Sequence, residues 1–174
     1  ISYRLVGSEM CIRDSVYGVC NPLIDLLCHI PDEFLQQWDL EKNRMYLVST
    51  DRQHSILKEL ENRSLKIEHA AGGSGANTMI GIAQLGGHSA FTGKIGFDPR
   101  GDQYRNDLED KGVKAALGAG VGMTGSSLIL VSNDGSRTMN THLGMCQELE
   151  PDDIDEKVLS STSILYLCLL YTSD

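Results

Sequence analysis

Residues 70–78 read AAGGSGANT. Gly72 and Gly73 stand side by side, Gly75 follows after one serine, and an apolar helical pattern begins at Ala76. Glycine lets the main chain turn with positive φ and lets a ligand approach bare backbone. A helix N-terminus has free N–H groups that favour anions and other acceptors. Asn77 adds a carboxamide with both donor and acceptor atoms. This stretch fits either a clasp for a polyhydroxy ligand or a tight strand-to-helix turn with no ligand. The standard phosphate loops are excluded. No G-x-x-x-x-G-K-[ST] occurs, and Gly73 and Gly75 begin a G-x-G-x-x-G that fails at Thr78.

Working outward, Val16–Cys20 is a short β-type run ending at Asn21-Pro22, and Leu23–Leu27 is apolar around Asp25. Helical spacing covers 31–39, with Phe34, Leu35 and Trp38 on one face, and 51–62, with Ile56, Leu57 and Leu60. A strand is predicted at 45–48. Ala76–Leu85 is a helix stopped by Gly86-Gly87. Ser89–Ile95 reads as one buried strand. Asp102 is a plausible N-cap for a helix over 104–111, and LGAGVGMTG at 117–125 reads as a flexible loop. Ser127–Val131 and Ser136–Thr141 flank Asn133-Asp134-Gly135, a hairpin signal. Pro151 opens a last short helix, and 163–167 begins a strand. Strands alternating with helices imply a layered α/β sheet, with the hairpin segment standing apart.

Two further segments carry candidate chemistry. Asp25 lies among apolar residues, where an acid is unfavourable without partners. Gripping two hydroxyls is one reason for it, and an exposed loop acid or a cap is the other reading. Arg137, Met139 and Thr141 alternate on the hairpin, so all three face one side. Arg137 offers a donor fork to a phosphate, or is an ordinary solvent-facing arginine. The five histidines show no metal-ligand spacing.

Residues 9–15, EMCIRDS, and 168–174, CLLYTSD, translate one DNA element in its two orientations, and that element resembles a transposon mosaic end used in library preparation. Positions 1–15 and 168–174 are therefore expected to be non-native flank, and 16–167 the biological segment, cut short at Leu167. The flanks hold two arginines against three acids, so −8 of the net charge of −9 belongs to 16–167. An acidic surface argues against nucleic acid or anionic membrane as partner. No apolar run approaches a membrane span. Cys20, Cys28 and Cys146 have no metal or redox spacing, which suits a reducing cytoplasm.

The series VYGVCNPLID, AGGSGANTMIGIAQLGG, GKIGFDPRGDQYRNDLEDKGV and TGSSLILVSNDGSRTMN resembles the amino-terminal half of the ribokinase-like, pfkB-type carbohydrate kinase family. NPLID, the segment PDEFLQQWDLEKNRMYLVSTDRQHSILKEL and SRTMNTHLG look most like its adenosine-kinase branch. The resemblance implies a three-layer α/β sandwich with a small β lid, whose lid segments fall near 28–50 and 117–142. It implies phosphorylation of a primary hydroxyl of a nucleoside or sugar, with ATP and Mg2+ bound mainly by a carboxyl-terminal half. By position, Asp25 would hold ribose or sugar hydroxyls, and Asn21 would lie beside the base or sugar. Gly72, Gly73 and Asn77 would complete the clasp, and Arg137 would meet the transferred phosphate. Met139 and Thr141, with Met45 as a weaker member, would contact the base or ring. The family's catalytic aspartate belongs to a G-A-G-D motif. The nearest string here, Gly118-Ala119-Gly120-Val121, lacks the acid and precedes the hairpin, so it is rejected. Cys20 stands where the family usually has glycine. Fructokinase, ribokinase and ketodeoxygluconate kinase remain alternatives, as does a non-catalytic sugar- or nucleoside-binding module. The resemblance also allows a homodimer through the lid.

Overall fold

The run VYGVC is buried on both faces, the pattern of a central parallel strand. In the computed structural model, which describes residues 15–170, it is Ser15–Cys20 (β1). Then follow Leu23–His29 (β2), Asp32–Gln37 (α1), Met45–Leu47 (β3), Thr50–Asn62 (α2), Ile67–Gly72 (β4) and Ser74–Gln84 (α3). His88–Thr92 (β5), Lys94–Gly96 (β6), Pro99–Asp110 (α4), Lys114–Ala115 (β7) and Gly118–Gly120 (β8) come next. Gly125–Val131 (β9), Arg137–His142 (β10), Glu156–Ser161 (α5) and Ile164–Cys168 (β11) complete the order, with 3-10 turns at Gly144–Glu148 and Pro151–Asp153.

One sheet has the order β11-β1-β5-β7, and its pairs are parallel. Its strands alternate between two cores. Tyr17 and Val19 pack with Val158 of α5. Val16 and Cys20 face the other way, into the core that holds Met79 and Ile80 of α3 and Tyr104 and Leu108 of α4. Helices on both faces of a parallel sheet make the expected three layers. A second sheet has the order β3-β10-β9-β2-β4 and stands apart as the hairpin signal implied. Ile24, Leu26 and Cys28 are fully buried on its inner face, which shares a core with Phe34 of α1 and with Ile56 and Leu60 of α2. Gln53 of α2 donates to the carbonyls of Ser126 and Asn140, which fastens the helix across β9 and β10.

Four local expectations change. The five-stranded sheet takes in 23–29 and 67–72, so it reaches outside the segments near 28–50 and 117–142. Within 117–125, Gly118–Gly120 is not a loop but β8, paired in parallel with β6. This also places Gly118-Ala119-Gly120-Val121 in a strand and its exit. The run at 89–95 divides into β5 and β6 at Gly93, where a Cβ would overlap the Cys20 carbonyl and come within 2.5 Å of Pro22 Cδ. The chain can bend under that turn only without a side chain. Helix α4 starts at Pro99 rather than near 104. Its N-cap is Asp98, whose Oδ1 accepts from the Gly101 N–H at 2.8 Å, while Asp102 lies inside the first turn.

Helix α3 sits on β1 through a matched pair of sizes. Cys20 is buried, and a Cβ on Gly75 would overlap its Sγ. Gly75→Ala is therefore expected to destabilise by about 1–3 kcal/mol through overpacking, although alanine is the better helix former by up to about 1 kcal/mol. Urea unfolding of Gly75→Ala, Cys20→Gly and the double variant checks this. The double variant should lose less than the sum of the two singles.

Candidate functional site

The second face of the five-stranded sheet is assembled by register. On β2 the alternation that buries Ile24 and Leu26 turns Leu23, Asp25 and Leu27 to the opposite side. Asp25 is opposite Ser127 on β9, and Ser127 is opposite Thr141 on β10. The hydroxyls of Ser127 and Thr141 lie 3.0 Å apart. Two residues along, Ile129 is opposite Met139, which is opposite Met45 on β3. One face thus carries a polar row beside an apolar row. The hairpin turn fixes this register. Gly135, at φ 81, closes a three-residue loop in which its N–H donates to the Ser132 carbonyl at 2.9 Å.

The glycine segment faces this sheet. Gly73, at φ 87, is the N-cap residue of α3, so no side chain caps the helix. Gly73, Ser74, Gly75 and Asn77 line one wall of a cleft of about 480 Å3. The opposite wall carries Asp25, Arg137, Met139 and Thr141 with Met45, Ser127 and Ile129. Asn21, in the turn between β1 and β2, also lines the cleft, is 8% exposed, and its Nδ2 has no partner. A buried amide donor without a partner costs free energy, and this one borders the cleft.

Asp25 and Gly72 are sterically complementary. A Cβ on Gly72 would overlap the Asp25 carboxylate, so the carboxylate lies against bare backbone. Burial pushes the Asp25 carboxyl above its ordinary value of 3.8, and the positive charge of Arg137 draws it partly back. Among the described residues Asp25 is the one carboxylate lining the cleft, and no group of three or more His, Cys, Asp or Glu is gathered to hold a metal.

Asn21, Asp25, Gly73, Asn77, Arg137, Met139, Thr141 and Met45, expected from separate stretches of sequence, all line this cleft, and Gly72 stands directly behind Asp25. Sequence reasoning missed Ser127 and Ile129. The hairpin's register could have found them, because the turn at 133–135 sets Thr141 against Ser127 and Met139 against Ile129. It also missed Leu23, while Ser74 and Gly75 belong to the glycine stretch read as a possible clasp. Cys168 and Leu170 reach the cleft from the segment expected as flank; Cys168 Sγ lies 3.3 Å from Ser74 Oγ.

Residues 41–174 match the pfkB family carbohydrate kinase domain. The chain is 29% identical over 104 residues to probable fructokinase-2 of Arabidopsis thaliana, covering 56% of this chain and 31% of that protein. It is 29% identical over 143 residues to adenosine kinase of Saccharomyces cerevisiae, covering 78% of this chain and 41% of that protein. Its fold is similar to the crystal structure of adenosine kinase from Sinorhizobium meliloti, with a TM-score of 0.77 and 33% identity, over 89% of this chain and 47% of that one. The chain therefore spans less than half the length of these three proteins. Among the described residues no helix is long and apolar enough to cross a membrane.

The raised carboxyl gives a signed pH dependence. Ionising Asp25 costs folding free energy, because its folded-state value lies above the unfolded one. The cost is absent below the ordinary carboxylate value and complete above the raised one. Asp25→Asn is expected to be more stable than the parent at pH 7, with the difference closing as the pH falls through the raised value toward 3.8. Urea midpoints across pH check this; a parent more stable than Asp25→Asn at pH 7 would contradict it.

Proposed function

The chain belongs to the pfkB family of carbohydrate kinases, and we propose that the whole protein phosphorylates a primary hydroxyl of a nucleoside, with adenosine the preferred acceptor. The observation that carries this reading is the division of the cleft. Asp25, Ser127, Thr141 and the glycine segment gather at one part, and Met45, Ile129 and Met139 at another. Hydroxyl groups suit the first and a flat purine suits the second. A ligand with only hydroxyls leaves the apolar row unused. The cleft volume lies within the range of about 300–1,000 Å3 usual for small-molecule sites.

Each residue has a role in this reading. Asp25 accepts hydrogen bonds from two ribose hydroxyls, which are charge-assisted and therefore strong. Gly73 and the free amides opening α3 approach the ring without a side chain between. Asn21 gives its free Nδ2 to a ring or base acceptor. Met45, Ile129 and Met139 pack on the base, methionine being suited to irregular apolar surfaces. Arg137 is exposed at the start of β10, just after the hairpin turn, and meets the transferred phosphate.

Phosphoryl transfer also needs a group to accept the hydroxyl proton and charge to hold the phosphates. Kinases of this family use ATP and a divalent metal. Among the described residues no group of three or more His, Cys, Asp or Glu is gathered, and the sequence contains neither standard phosphate loop. In this reading ATP, Mg2+ and the proton acceptor are held by parts of the protein outside this sequence. A second reading, phosphorylation of a free sugar such as fructose, is favoured by the fructokinase relative and by the polar half of the cleft.

Assay of the full-length protein with ATP, Mg2+ and adenosine, ribose or fructose separates the two. Adenosine is expected to exceed either sugar by about tenfold or more in kcat/KM, and preference for a free sugar replaces the first reading with the second. The 174-residue chain assayed alone is expected to show no turnover. Turnover by it would place the proton acceptor within these residues.

A further inference from the structure

The glycine segment is held from behind by α4, an element with no residue in the cleft. Tyr104 is fully buried, with its ring 5.8 Å from that of Phe91, centroid to centroid. Its hydroxyl donates to the Gly72 carbonyl at 3.2 Å. One helical turn further, Asp107 Oδ2 accepts from the Ala71 N–H at 3.2 Å. Strand β4 is an edge of the five-stranded sheet, with β2 as its neighbour. The outward N–H of Ala71 has no strand to bond, and Asp107 supplies its partner; Gly72 is in register with Leu23 of β2, and Tyr104 meets its carbonyl there.

Gly72 and Gly73 prefer no particular backbone conformation, so the plane of the peptide between them is set by its neighbours, the paired Leu23 of β2 and the Tyr104 hydroxyl. Tyr104 holds the carbonyl of that peptide. A trans peptide is rigid, with its N–H opposed to its C=O. Fixing the Gly72 carbonyl toward α4 therefore turns the Gly73 N–H away from α4, at a residue that lines the cleft. Holding Ala71 keeps the strand from fraying just before that peptide.

We infer that Tyr104 and Asp107 are positioning residues for substrate binding: they hold the Ala71-Gly72-Gly73 backbone so that the Gly73 N–H is presented to the ligand before it arrives. Binding then carries no cost of ordering this loop. The inference rests on the cleft reading for its kinetic consequence but not for its structural one, and the test separates them.

In the full-length protein, Tyr104→Phe removes one oxygen and keeps the ring. Amide hydrogen exchange over residues 71–75 is expected to quicken about three- to tenfold, the worth of one hydrogen bond, while exchange in α2 is unchanged. KM for the accepted substrate should rise by a similar factor, with kcat changed less than twofold. Unchanged exchange at 71–75 overturns the inference. So does faster exchange with unchanged KM, or a loss confined to kcat, since each leaves a purely structural contact. If Tyr104→Phe does not fold, Asp107→Ala must give the same pattern and Asp107→Asn, which keeps an acceptor oxygen, must restore it; failure of that pair also overturns the inference. A protein that turns over no nucleoside ends the nucleoside reading alone. The exchange result stands regardless, and KM is then measured with the sugar that the protein accepts.

Discussion

The site depends on one close approach, a carboxylate laid against bare main chain. Asp25 is partly withdrawn from water, which pushes its carboxyl upward, and Arg137 only partly offsets that. The position is available because Gly72 has no side chain to occupy it. It is maintained because β2 pairs with β4 on one side and β9 on the other. The first pairing brings the glycine segment, and the second brings Ser127 and, beyond it, Thr141. An acid placed at such cost to stability fits the general observation that perturbed ionisable groups cluster at functional sites.

Much of this was legible in the sequence because local rules govern it. Helix α3 begins where three glycines meet an apolar period, and the hairpin turn sits at Asn133-Asp134-Gly135. Alternation on a strand puts Arg137, Met139 and Thr141 on one side, and all three line the cleft. What escaped depends on partners far along the chain. Gly93 reads as an ordinary strand residue until the Cys20 carbonyl and Pro22 are set beside it. Asp98 and Asp102 are both acceptable caps by type. Asp98 wins because its second oxygen also accepts from the Thr124 N–H at 2.8 Å. Tyr104 carries no sequence signal at all, since a buried tyrosine is usually only packing. Its meaning comes from the carbonyl that its hydroxyl meets.

The same helix therefore serves two edges of the site. Its cap, Asp98, holds Thr124 immediately before β9, while Tyr104 and Asp107 hold the end of β4. Thr124 in turn accepts from the Gly96 N–H at 3.0 Å, which links that junction to β6. Two of the points where the chain passes between the layered body and the five-stranded sheet are thus fixed by polar contacts buried or half-buried in the structure. Side chains in the cleft inherit their positions from those junctions.

The pairing of β2 with β9 has a further meaning for how the molecule is made. On a ribosome, β2 and β4 emerge early and can form their antiparallel pair, but the other edge of β2 stays bare until β9 has been synthesised. Likewise β3 waits for β10. Contacts so distant in sequence are slow to form, and unpaired strand edges invite wrong association in the meantime. During synthesis there is an interval in which Asp25 lacks its hydroxyl neighbours and one edge of β2 is open.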